Sequence, residues 1–87
     1  KFTPFAAVSK ACQDNCITTN SPTKSFNIAG LQIANIITNN DTIKQKIDRA
    51  ININEVCDVN PFGVIALQAA YNEGESWIDQ LNLYLWE

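Results

Sequence analysis

The chain contains no histidine and no methionine, only three glycines and three prolines, and three cysteines. Without histidine the usual general base of hydrolytic triads is missing. Cys12, Cys16 and Cys57 have no imidazole partner with which to complete a tetrahedral zinc site, so no metal is expected. An odd number of cysteines is read as small buried thiols of a reducing, cytoplasmic compartment rather than as a disulfide framework. The three glycines fall in neither of the standard phosphate-loop spacings. Positive charge is also scarce: six basic against nine acidic side chains give a net charge of -3, which leaves no field to hold a nucleic-acid backbone or an anionic membrane. The uncharged stretch from Val59 to Asn72 is interrupted by Asn60, Pro61, Gly63 and Gln68 and is too short and polar to span a bilayer. A start at Lys1-Phe2 offers neither an initiator nor a signal or transit peptide, and the chain reads as a piece of a longer protein.

What is present is apolar material, 46% of the chain against 17% charged, in a pattern of helices and short strands. Thr3-Pro4 is a capping residue followed by proline, and it predicts one helix with Phe5, Val8 and Cys12 on its inner face, ended by Gln13-Asp14-Asn15. Cys16 to Thr19 favours a strand that halts at Asn20-Ser21-Pro22. Thr23 to Ile28 is expected to be irregular or a single helical turn. Leu31 to Thr38 is apolar on both alternating faces and predicts a strand covered on both sides. Asn40 caps a helix from Asp41 to about Ala50, with Ile43, Ile47 and Ala50 inward and Lys44, Lys46 and Arg49 toward its end. Ile51 to Asp58 reads as a connection. Asn60-Pro61 starts a helix that is apolar nearly all round from Phe62 to Tyr71, and Gly74 breaks or bends it before a final amphipathic helix. Trp77, Ile78, Leu81, Tyr84 and Leu85 form the apolar face of that last helix, which reaches Glu87 with no terminating residue. The expected class is α/β: two central strands flanked by helices, with a truncated C-terminal helix.

Among these residues Lys24 is the one charged group between Asn15 and Asn40, on a loop that leaves a strand, where α/β enzymes place functional groups. A lysine that loses hydration becomes a neutral nucleophile able to form a Schiff base. On the residues alone an ordinary solvated lysine is the stronger reading.

The run Ser21-Pro22-Thr23-Lys24-Ser25-Phe26-Asn27-Ile28-Ala29-Gly30-Leu31-Gln32 resembles the cofactor-lysine segment of fold type I pyridoxal-phosphate enzymes, the class I and II aminotransferase superfamily. Within it the run is most similar to the cystathionine β-lyase, or carbon-sulfur lyase, branch. The Asn60-Pro61-Phe62 helix start and the segment from Ala69-Ala70-Tyr71 through Trp77 are similar to that branch as well.

The resemblance implies that residues 1-87 are one partial unit of the large, cofactor-binding domain, with 75-87 the start of a longer helix leading toward the small domain. It implies pyridoxal 5'-phosphate as cofactor, bound by Lys24, which then serves as the base toward the substrate's α proton. Ser21 is the implied hydroxyl donor to the cofactor phosphate, and Thr23 a second candidate for that work. Turn chemistry before Pro22 and a loop hydroxyl facing its own backbone remain open as alternatives for these two residues. Many aminotransferases carry arginine eight residues after the lysine, where this chain has Gln32, a neutral group. That departure favours the lyase branch; a strand residue with a satisfied amide is the other reading of Gln32.

The implied parent is a cytoplasmic homodimer that eliminates thiol from a sulfur-containing amino acid, giving pyruvate and ammonia. Transamination to a 2-oxo acid is one alternative, and a purely structural or self-associating module is another. Asn60 and Pro61 are either part of a neighbouring subunit's site or simply a helix cap. The isolated chain is expected to be inactive. With unpaired strand edges and the faces of Trp77, Tyr84 and Trp86 uncovered, it is also expected to associate with itself.

Overall fold

The computed structural model describes residues 2-86. Lys1 and Glu87, the ends on which the expectation of an excised piece partly rests, lie outside the described residues. The architecture is mixed α and β, as expected, with four α-helices and a short two-stranded sheet among the described residues. The residues divide into two compact units, one drawn from Lys1–Asn20 and Asn35–Asp58, the other from Ser21–Ala34 and Val59–Glu87.

The first unit opens with a 3-10 turn, Phe5–Ala7, followed by helix α1, Lys10–Asp14. The single helix expected from Thr3-Pro4 is therefore interrupted. Ser9 is the cause: its backbone is extended at φ -159° and ψ 165°, and its side chain accepts the Cys12 N–H at 3.1 Å, so a new helix begins there. Asn15 ends it as the sequence predicts, and strand β1 follows over Thr18–Asn20. Strand β2, Asn35–Ile37, pairs with β1 antiparallel, with Thr18 opposite Ile37 and Asn20 opposite Asn35. The Asn35 amide donates to the Asn20 side-chain oxygen at 3.1 Å and closes that end of the ladder.

The long covered strand expected over Leu31 to Thr38 is thus three residues long, and Ile36 and Ile37 are half exposed. Two features cut it short. Ala29–Leu31 forms a 3-10 turn, and Gln32 caps it in the left-handed region at φ 49° and ψ 58°, so the chain cannot extend until it has passed Ile33. Apolar residues on both alternating faces are shared by buried strands and irregular buried segments.

Helix α2, Asp41–Ile53, starts where Asn40 predicts and runs three residues past Ala50. Asn40 does two things at once. Its side-chain oxygen accepts the Ile43 N–H at 3.1 Å, and its amide donates to the Asp14 carbonyl at 2.9 Å, fastening α2 to the end of α1. Ile43, Ile47 and Ile51 are the partly buried side chains of α2, whereas Ala50 is exposed. The extension also leaves the last turn without a basic residue, so Arg49 sits too early to offset the C-terminal dipole there. Cys12 and Cys16 are partly buried free thiols, and Cys57 is exposed, contrary to the expectation of burial.

The second unit contains helices α3, Pro61–Glu73, and α4, Glu75–Trp86. Asn60 accepts the Phe62 N–H at 3.0 Å and Pro61 occupies the first turn, as the sequence predicts. Gly74 ends α3 by donating to the Ala70 carbonyl at 3.1 Å, and Ile78 N–H returns to the Gly74 carbonyl at 3.1 Å, so α4 begins at the break itself. At Gly63, a buried glycine, α3 packs close against the segment after the lysine. A Cβ there would lie 2.9 Å from the Leu31 carbonyl oxygen and 3.3 Å from the Ile33 Cβ. Ile33 is the buried apolar side chain of the described residues, while Phe62, Ile65, Leu83, Tyr84, Leu85 and Trp86 are exposed. No helix among the described residues is long and apolar enough to cross a membrane.

The double role of Asn40 separates two substitutions. Asn40→Ala removes the cap and the bond to Asp14, and is expected to cost about 1 to 2 kcal/mol in chemical denaturation. Asn40→Asp keeps the cap but sets a carboxylate against the Asp14 carbonyl. It is expected to recover only part of that loss, and full recovery would show that the link to α1 carries no weight.

Candidate functional site

The residues singled out by the sequence, Ser21, Thr23 and Lys24, lie together in the second unit, in the fourteen-residue connection Ser21–Ala34 between β1 and β2. Pro22 is fully buried and anchors the start of the connection. From it the backbone makes one helix-like turn, with Phe26 N–H donating to the Pro22 carbonyl at 2.9 Å and Ile28 N–H to the Thr23 carbonyl at 3.0 Å. Asn27 closes the turn in the left-handed region at φ 53°, a conformation that asparagine tolerates better than most residues. The expectation of an irregular segment or one helical turn is met in the second form.

Lys24 sits on the outer side of this turn and is exposed. No carboxylate among the described residues forms an ion pair with it; the salt bridge of the first unit joins Lys10 and Asp14 at 2.5 Å. Its amine is therefore open to an incoming carbonyl group.

Ser21 and Thr23 face inward. The Ser21 hydroxyl lies 2.5 Å from the Ile33 carbonyl, 2.9 Å from the Thr23 hydroxyl, and 3.2 Å from the Thr23 N–H that donates to it. The carbonyl can only accept, so the Ser21 proton goes to Ile33 and the Thr23 hydroxyl donates to Ser21. Both hydroxyl protons are then spent within the loop, the Ser21 oxygen has its two acceptor sites filled by the Thr23 hydroxyl and N–H, and the Thr23 oxygen keeps acceptor capacity. To donate to a phosphate, one of these hydroxyls has to rotate away from its present partner.

Gln32 is exposed, at a left-handed cap rather than inside a strand, so the alternative of a satisfied strand amide does not apply. Sequence reasoning missed the Ile33 carbonyl as the group that receives Ser21. It also missed the aromatic seat of the turn, where the Phe26 ring stacks on Trp77 with centroids 5.6 Å apart and an interplanar angle of 28°. The inventory fits a phosphorylated carbonyl cofactor in part: an accessible amine with two hydroxyls one and three residues before it, and no second cation in the Ser21–Ala34 connection for a phosphate.

No family model matches the chain. It is 39% identical over 98% of its length to cystathionine β-lyase PatB of Bacillus subtilis (strain 168), of which it covers 22%. It is 32% identical over 86% of its length to a cystathionine β-lyase of Corynebacterium glutamicum, covering 20% of that protein. Among solved structures it is similar to a PLP-bound protein from Clostridium difficile 630 assigned as an aminotransferase, with a TM-score of 0.93 and 38% identity, over 98% of this chain and 22% of that one. The chain spans about a fifth of the length of each of these proteins.

The hydrogen bonds of Ser21 rank two substitutions. Ser21→Ala strands the part-buried Ile33 carbonyl and removes the acceptor of the Thr23 N–H, and a loss of about 1 to 3 kcal/mol is expected in urea denaturation. Thr23→Val removes one hydroxyl bond and leaves the Ser21 to Ile33 bond intact, for an expected loss of about 0.5 to 1.5 kcal/mol. The reverse order would show that the Ile33 bond is not the tie that holds the loop.

Proposed function

The chain belongs to the fold type I pyridoxal-phosphate enzymes, and from this premise we propose that it carries the cofactor lysine, Lys24, of a carbon-sulfur β-lyase. What carries the choice of reaction is that both relatives named for one are cystathionine β-lyases. The neutral Gln32, in place of the arginine common in aminotransferases, supports the same choice.

In this reading residues 1-87 are a partial unit of the large cofactor-binding domain, and α4 leads on toward the small domain. The parent is a homodimer acting on a small sulfur-containing amino acid. Lys24 holds the cofactor through Nζ, and Ser21 and Thr23 offer neutral hydrogen bonds to its phosphate after one hydroxyl rotates. When bound, the cofactor supplies the sink for the electron pair left on the substrate's α carbon. Lys24 Nζ takes the α proton. As the β carbon-sulfur bond breaks, its electron pair leaves with the thiolate, and hydrolysis of the remaining three-carbon unit gives pyruvate and ammonia. Because the turn presents Lys24 on its outer side, the amine is free to swing between holding the cofactor and accepting that proton.

Amino transfer is the second reading, favoured by the likeness to the PLP-bound protein assigned as an aminotransferase. There Lys24 Nζ returns the proton to a different carbon and no carbon-sulfur bond breaks.

The full-length parent is expected to release pyruvate from cystathionine and to sediment as a dimer. Borohydride is expected to fix the cofactor on Lys24, and Lys24→Ala to lower kcat by about 100-fold or more. Amino transfer to a 2-oxo acid without pyruvate would replace the lyase reading by the second one. A colourless parent with no label at Lys24 would remove both.

A further inference from the structure

Gly74 is a glycine for reasons of space. Its backbone, at φ -86° and ψ 0°, is one that any residue adopts, so torsion does not require it. A Cβ at this position would instead collide equally with the Phe26 ring at Cε1 and with the Ala70 carbonyl oxygen, and lie 3.0 Å from the ring's Cζ. The ring fills the notch between α3 and α4 and stacks on Trp77, three residues into α4. Phe26 stands two residues after Lys24, and its own N–H closes the turn on the Pro22 carbonyl. The backbone that presents the amine is therefore held from Ser21 and Pro22 at one end and by an aromatic ring set into a helix break at the other.

We infer that Phe26 is a positioning residue for Lys24, acting through the seat formed by Gly74 and Trp77. The inference rests on Lys24 being the reacting amine, as proposed above, but the seat itself is independent of any cofactor. A helix break offers a rigid reference, because both flanking helices fix the notch. An amine whose turn slips by about 1 Å loses on the order of 100-fold in rate without losing its chemistry. The seat thus governs the rate of proton transfer at Nζ rather than the binding of substrate.

The test uses the full-length parent, first without cofactor and then loaded. Trp77→Leu keeps apolar bulk on α4 and removes the stacking ring. Without cofactor, amide exchange at Phe26 and Ile28 is expected to quicken by about tenfold, while the Ile43 amide under the Asn40 cap stays unchanged. In the loaded enzyme kcat is expected to fall by about 10- to 100-fold with KM within about twofold of the parent value. Trp77→Phe is expected to restore both readouts. Should Trp77→Leu fail to fold, Phe26→Leu, which takes the ring out of the notch and leaves Gly74, Ala70 and Trp77 as they are, is expected to give the same pattern. Unchanged exchange in the turn, or exchange that quickens equally at Ile43, would overturn the inference, the latter by making the seat a matter of general stability. Faster exchange in the turn of a parent that takes no label at Lys24 would leave the seat standing and remove the proposed function instead.

Discussion

The bond from the Ser21 hydroxyl to the Ile33 carbonyl is the tie on which the second unit is organised. It draws together the two ends of the connection that carries Lys24, and it does so beside Ile33, the buried apolar side chain, and Pro22, the fully buried one. A carbonyl in that position has no helix or strand partner of its own, and an unmet acceptor there would weigh against the loop. Once the ends are joined, Gly63 lets α3 approach the Leu31 carbonyl, and the turn that bears the lysine has a fixed base. On the proposed function the same tie sets a condition: loop rigidity and phosphate binding would draw on one pair of hydroxyl protons.

Much of this frame was legible in the residues, and the parts that were not share a cause. Asn40 and Asn60 announce their helices because a cap is a local event, made by one side chain with an amide two or three residues on. Gly74 marks a helix break in the sequence for the same local reason. Ser9 acts by the same mechanism but was hidden inside an apparently continuous apolar spacing begun at Pro4. The run from Leu31 to Thr38 misled because its apolar residues serve two structures, a 3-10 turn with its left-handed cap and then a short strand. Nothing in the side chains marks Gln32 as the junction.

At the site, the Lys24 segment could be located from the sequence by resemblance, while its supports could not. Phe26 and Trp77 are far apart in the chain, and the receiver of the Ser21 proton is a backbone carbonyl, which is the same for every residue type. Large apolar side chains are left exposed on α3 and α4, and a domain of this size buries only about 60 to 65% of the surface of its unfolded chain. Such faces fit a chain that covers only 22% and 20% of the relatives carrying a similar segment.

The notch at Gly74 also bears on how such a sequence can drift. Two positions far apart in the chain compete for a single volume: one holds a large ring because the other holds no side chain at all. A methyl group gained at the glycine meets both the ring and the Ala70 carbonyl, so it is tolerated only where the ring has shrunk and the end of α3 has shifted as well. A shrunken ring, in turn, leaves a void that favours regaining the methyl. The two sites are thereby bound into one heritable unit, and the path between their two compatible states passes through an intermediate that is either overfilled or hollow.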